Sequence, residues 1–79
     1  MNLIPVTSSN IEAIGWVGNI IYADGGIPKD VLRIKFKSGT IYDYLNVSKE
    51  VYEEMMKQES KGSFWWRKIR DKYMEIKVN

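Results

Sequence analysis

The run Val31-Leu32-Arg33-Ile34-Lys35-Phe36-Lys37 alternates between the two faces of an extended chain. Leu32, Ile34 and Phe36 point one way and the cations Arg33, Lys35 and Lys37 the other, the period-two pattern of a half-buried strand. Thr40 to Leu45 reads as its hairpin partner beyond the Lys37-Ser38-Gly39 turn. Upstream, Ala13 to Ala23 carries Ile14, Trp16, Val17, Ile20, Ile21 and Tyr22, which predicts one or two strands broken near Gly18. The cluster Asp24-Gly25-Gly26-Ile27-Pro28 predicts a turn. Beyond residue 47 the period changes. Ser48 is placed to cap a helix by accepting from a free first-turn amide, and Glu50 favours the positive end of its dipole. Val51, Tyr52, Met55 and Met56 then share one side of that helix. Gly62 is expected to end it in a left-handed conformation, and Ser63 to cap a second helix running to about Tyr73. Met74 to Val78 alternates again and predicts a closing strand. The order predicts one α+β domain over residues 1–79: a small antiparallel sheet of three to four strands, two C-terminal helices packed on one face, and a short closing strand.

The hairpin turn decides where Tyr42 and Tyr44 point, because one residue more or less in a loop flips every side chain to the other face. A loop of Ser38-Gly39 alone pairs Lys35 with Tyr42 and Arg33 with Tyr44. The tyrosines would then share the cationic face as a stacking platform of Arg33, Lys35, Tyr42 and Tyr44, with Asp43 turned into the core. A loop of Lys37-Ser38-Gly39, with Gly39 left-handed in a bulge, pairs Ile34 with Tyr42 and Leu32 with Tyr44 instead. The tyrosines then join the core and Asp43 sits across from Arg33, which buries no carboxylate. An unpaired buried carboxylate costs several kcal/mol, so the second register is preferred, with the first kept as a possible secondary binding surface.

The stretch Ser60-Lys61-Gly62-Ser63-Phe64-Trp65-Trp66-Arg67-Lys68-Ile69-Arg70 mixes rings with cations. At about 100° per residue the apolar arc centres on Trp65, Ile69 and Tyr73. Trp65 therefore belongs to the core, whereas Trp66 falls on the shoulder of the arc beside Arg70 and is partly exposed. Phe64 lies outside the arc, where it is expected to staple the helix entrance.

Composition sharpens this picture. The 79 residues include three Trp, five Tyr and two Phe but no Cys and no His. A core of this size supplies at most about 3–5 kcal/mol. Disulfides and thiolate metal sites are excluded, and the commonest transition-metal ligand is missing. No metal and no cofactor is therefore expected. Most of the aromatic mass is needed to hold the domain together. Net charge is +2, but residues 60–79 carry six Lys/Arg against two Asp/Glu, while residues 1–59 carry six against eight. A basic C-terminal segment on a mildly acidic body points to a polyanionic partner. No apolar run approaches the roughly 18 residues of a membrane span, and the N-terminus lacks the features of a signal peptide. The expected setting is cytoplasmic, with no membrane partner, and Asn46-Val47-Ser48 is then a chance sequon.

Catalysis needs positioned groups of suitable pKa. Ser8, Ser9, Ser60 with Lys61, and Lys68 form no nucleophile–base pair of diagnostic spacing, and Glu50, Glu53 and Glu54 read as solvated. No phosphate-cradling glycine loop is present. No enzyme and no catalytic residue is expected. The leading expectation is a nucleic-acid-binding module, for RNA or a single strand, in which Lys61, Arg67, Arg70 and Lys72 meet phosphates and Trp66 stacks on a base. One alternative is a protein-interaction module, such as a phage-encoded inhibitor of a host protein, touching its partner through Trp66 and residues 16–30. Another is a protein that sequesters a small nucleotide between protomers. Oligomeric state is left open.

Four stretches give the chain a family likeness. They are Pro5-Val6-Thr7-Ser8-Ser9-Asn10-Ile11 with Ala13-Ile14-Gly15; Phe36-Lys37-Ser38-Gly39 with Tyr42-Asp43-Tyr44; Val47 with Val51-Tyr52; and Ser60-Lys61-Gly62 with Ile69-Arg70 and Tyr73. In order and spacing they resemble the KTSC domain, a small bacterial or phage protein also found at the C-terminus of some lysyl-tRNA synthetases. The resemblance implies the fold, and the synthetase context is the ground on which RNA binding has been suggested for the family. The chain departs from the pattern in two places. The stretch from Gly15 to Val31 is longer than the usual connection, so residues 16–30 are expected to form an extra hairpin or loop, and Trp66 stands where members tend to carry a small polar residue.

Overall fold

The structure, a computed structural model, describes residues 1–22 and 25–79. Ala23 and Asp24, where the upstream strand was expected to end and the following turn to begin, lie outside the described residues. The chain forms β1 (Ile4–Pro5), β2 (Ile11–Ile20), β3 (Lys29–Phe36) and β4 (Ile41–Leu45). It continues through α1 (Lys49–Lys57) and α2 (Lys61–Phe64), which runs on as a π-helical turn over Trp65–Ile69, and ends in β5 (Glu75–Lys77). The strands make one antiparallel sheet of five in the order β1-β2-β3-β4-β5. The sheet is wider than the three to four strands expected, because β1 holds only Ile4 and Pro5 and so carries no alternation to detect.

The hairpin adopts the Lys37-Ser38-Gly39 loop. Phe36 N–H donates to Thr40 O, Gly39 N–H to Phe36 O, and Gly39 is left-handed at φ 97°. Ile34 pairs with Tyr42, Arg33 with Asp43 and Leu32 with Tyr44. Ile11, Ile14, Leu32, Ile34, Phe36 and Tyr44 of the sheet pack with Val47, Met55, Phe64 and Ile69 into the main core. Both helices lie on this face. Ser48 Oγ accepts from Val51 N–H as the cap of α1, and the Trp16 indole stacks on Tyr52 while donating to Val47 O at 2.8 Å.

The other face of the sheet is not the solvated cationic surface that alternation suggests. Val31, Leu45 and Asp43 are buried there. Asn2 and Leu3 cross so close to Gly15 that a Cβ at that position would meet the Asn2 carbonyl at 2.6 Å. Tyr22 reaches in from the far end of the β2–β3 hairpin. The expectation that this register buries no carboxylate is therefore corrected: Asp43 is fully buried, but not unpaired. Arg33 donates to it through Nε at 2.6 Å and Nη2 at 2.8 Å, and the Tyr22 hydroxyl donates at 2.6 Å. Residues 16–30 are the end of β2, its connection and the start of β3, so they extend the β2–β3 hairpin instead of forming a separate one. Near Gly18 the strand is bulged, not broken: Asn19 turns left-handed and its N–H donates to Asp30 Oδ1.

Burial first, and then hydrogen bonding to Asp43, push the Tyr22 hydroxyl up from 10.0 to about 12. A raised pKa means that the folded state holds this proton more tightly than the unfolded chain. The associated stability is complete below about pH 10 and is lost as pH rises through about 12. Melting temperatures recorded across that window should fall less steeply for Tyr22→Phe than for the parent; parallel curves would refute the linkage.

Candidate nucleic-acid interface

The second helix starts earlier than expected. Ser60, not Ser63, is its cap, with Oγ accepting from Ser63 N–H at 3.2 Å. Gly62 does not end the first helix, which stops at Lys57. It lies inside the first turn of α2, where a Cβ would sit 2.5 Å from Asn10 Oδ1. Glycine here lets the helix rest against the loop Ser8-Ser9-Asn10. Ser8 Oγ holds that loop by accepting from Ile11 N–H at 3.2 Å.

From Trp65 onward the helix widens, and Arg70 N–H donates to Trp65 O five residues back at 2.8 Å. A π-turn changes the angular spacing that an α-helical wheel assumes. Phe64, expected outside the apolar arc, is consequently buried, and Trp65 is half-buried at the rim of the core. The helix ends at Ile69 and Asp71 turns left-handed, so it stops short of Tyr73.

Trp65 packs edge-on against Phe36, with ring centroids 5.0 Å apart. Its Nε1–H donates to the Tyr44 hydroxyl at 2.9 Å, and that hydroxyl donates to Glu75 Oε1 at 2.8 Å. Burial above all holds the Tyr44 hydroxyl well above its usual range, and Glu75 adds to this. The next ring, Trp66, is 60% exposed. The Arg70 guanidinium lies over it, 4.1 Å from the ring centroid, a contact worth about 0.5–1 kcal/mol at an exposed site.

Beside this ridge opens a cleft of about 560 Å³. Phe36, Tyr42 and Trp65 supply its rings, Lys37 and Arg70 its cations, Ser9 and Asn10 a polar rim, and Glu75 its one carboxylate. Among the described residues Lys37 makes no ion pair.

The expected binding residues are thus only partly gathered. Trp66 and Arg70 touch each other, and of the two only Arg70 lines the cleft. Arg67 is exposed one turn away, its Nε donating to Ser63 Oγ at 3.3 Å. Lys72 is exposed beyond the helix. Lys61 is half-buried and its ammonium donates to Gln58 O, so it pins the junction of the two helices. The secondary surface of Arg33, Lys35, Tyr42 and Tyr44 does not exist as one surface. The register puts the cations and the tyrosines on opposite faces. Arg33 is engaged by Asp43, Lys35 pairs with Glu12 at 3.1 Å, and Tyr44 is buried. Sequence reasoning missed Phe36, Lys37, Ser9, Asn10 and Glu75 as cleft residues. The signal available for all but Glu75 was their place in the stretches that carry the family likeness.

Residues 28–73, more than half of the chain, match the KTSC domain. The chain belongs to the KTSC domain family. The crystal structure of a KTSC domain protein from Yersinia pestis is similar to it, with 29% identity, coverage of 99% of this chain and 97% of that one, and a TM-score of 0.82. The comparison with curated proteins gave no match. The KTSC match includes Phe36, Lys37, Tyr42, Trp65 and Arg70 of the cleft. Ser9, Asn10 and Glu75 lie outside it and close the cleft from the two ends of the chain. Among the described residues no helix is long and apolar enough to cross a membrane.

Proposed function

We propose that this KTSC domain is a non-enzymatic module that binds single-stranded nucleic acid, RNA foremost, across the Trp66–Arg70 ridge and the cleft beside it. The observation that carries this reading is Arg70, which lines a ring-walled, cationic cleft and lays its guanidinium on the exposed indole of Trp66. Rings give a sequence-tolerant stacking surface and the flanking cations follow the backbone. Lys37, Arg67, Arg70 and Lys72 are the phosphate contacts, with Lys61 left to its structural role.

Roughly four phosphate contacts give a salt slope of about −2.8 for a single strand, or about a fifty-fold loss of affinity between about 50 and 200 mM salt. Trp66→Ala should weaken binding of a short uridine-rich RNA by about five- to a hundred-fold, the effect of one lost base stack. Fluorescence titration of both proteins at both salt concentrations measures this. No binding at the lower salt, or binding indifferent to Trp66, would sink the proposal.

The protein-partner alternative draws on Ile21 and Ile27, both largely exposed. They lie at the Ile20–Lys29 end of the β2–β3 ladder, whereas the cleft lies at the Ile11–Phe36 end. On this reading Ile21 and Ile27 make the contact separately from Trp66. A salt-insensitive complex lost on Ile27→Ser but kept on Trp66→Ala would favour that reading.

A further inference from the structure

A carboxylate in the wall of a cleft that receives a polyanion is out of place unless it meets hydrogen-bond donors. Glu75 is such a group. It opens β5 opposite Tyr44, and its Oε1 accepts from the Tyr44 hydroxyl. Oε2 has no partner among the described residues. An ionised carboxylate only accepts. Stacked single-strand bases are read by hydrogen bonds along their Watson–Crick and Hoogsteen edges. Guanine is the base whose Watson–Crick edge sets two N–H groups side by side, N1–H and the N2 amino group. Adenine and cytosine place an acceptor nitrogen next to their amino group, and uracil flanks its single N–H with two carbonyl oxygens. A carboxylate facing those edges meets repulsion where guanine offers a paired donor set.

Resting on the nucleic-acid reading above, we propose that the cleft is a guanine pocket. An unpaired guanine enters against Phe36, Tyr42 and Trp65, gives its N1–H and N2–H to Glu75, and leaves its phosphate to Lys37 and Arg70. Glu75 sets the base preference and the two cations set the affinity. The Tyr44 hydroxyl, held in turn by Trp65 Nε1–H, fixes the carboxylate.

The test compares four RNA hexamers: uridine throughout, and the same strand with one internal guanosine, adenosine or cytidine. The guanosine strand should bind about ten- to a hundred-fold more tightly than the others, the discrimination typical of a bidentate pair. Glu75→Gln keeps a carbonyl acceptor for the Tyr44 hydroxyl. It should abolish that preference, weakening the guanosine strand while the uridine strand tightens for want of a negative charge. Arg70→Ala should weaken all four strands alike. Equal, salt-sensitive affinity for the four strands would overturn the guanine assignment and leave the nucleic-acid reading standing. A preference that survives Glu75→Gln would also overturn it. No binding of any strand removes both. Guanosine monophosphate is the last arm. Binding as tight as the guanosine hexamer, and equally sensitive to Glu75→Gln, would uphold the pocket and overturn the strand as its ligand.

Discussion

Asp43→Ala is expected to leave the domain only marginally folded at 25 °C. The carboxylate is fully buried and takes three donated bonds, two from Arg33 and one from Tyr22. Removing one partner of a buried ion pair costs about 3–5 kcal/mol, because the remaining charge is left uncompensated. The Arg33 side chain retains 30% of its exposure, so it can turn partly to water, and the lower end of that range applies. Even about 3 kcal/mol is a large share of what a domain of this size has in hand. Tyr22→Phe removes one hydrogen bond to a charged acceptor and should cost about 1.5–2 kcal/mol, less than the loss of Asp43. The double variant Arg33→Met with Asp43→Leu separates pairing from packing. Apolar residues of similar volume often replace a buried pair without loss, so this variant should melt close to the parent. Urea unfolding of the four proteins decides. A single variant Asp43→Ala as stable as the parent would show that the pair contributes nothing.

Most of the sheet was legible because two independent signals agreed. Leu32, Ile34 and Phe36 fixed a face by alternation, and Gly39 supplied the left-handed residue that puts Tyr42 and Tyr44 on that same face. Ser48 announced α1 through its capping chemistry. What escaped is tertiary or lies in the backbone. The covering of the second face depends on Asn2, Leu3 and Tyr22 arriving from distant positions, and no local pattern around Asp43 encodes their approach. The π-turn at Trp65–Ile69 is a shift of hydrogen-bond partner by one residue. It leaves no mark in composition, yet it moves Phe64 into the core.

The same division applies to the site. Trp66 and Arg70 stand four residues apart, near enough on the helix surface for their contact to survive the widened turn. Their pairing could be read from spacing alone. The cleft could not. Its walls come from the N-terminal loop at Ser9 and Asn10, the hairpin at Phe36 and Lys37, the helix at Trp65 and Arg70, and β5 at Glu75. Lys37 looked like the third cation of a solvated strand face. It lines the cleft because the loop it begins lies past the end of the alternating strand. Lys61 shows the converse: a cation beside rings in sequence whose ammonium the fold directs to a backbone carbonyl.

Tyr44→Ala should be about as damaging as the loss of Asp43, for a different reason. The ring is fully buried at the centre of the core, packed beside Tyr42 with centroids 6.4 Å apart. Truncating a buried aromatic to alanine costs about 3–5 kcal/mol, through lost transfer energy and the cavity left behind. Tyr44→Phe keeps the ring and fills the same space. It loses only the hydroxyl that accepts from Trp65 and donates to Glu75, at a cost of about 1–2 kcal/mol, since both partners border the cleft and can reach water. Denaturant midpoints should therefore rank the parent above Tyr44→Phe and both well above Tyr44→Ala. The phenylalanine variant also tests the link from core to cleft. Its Glu75 is no longer held, so a guanosine strand should lose more affinity than a uridine strand while the domain stays folded. Equal losses for the two strands would mean that the Tyr44 hydroxyl serves stability alone.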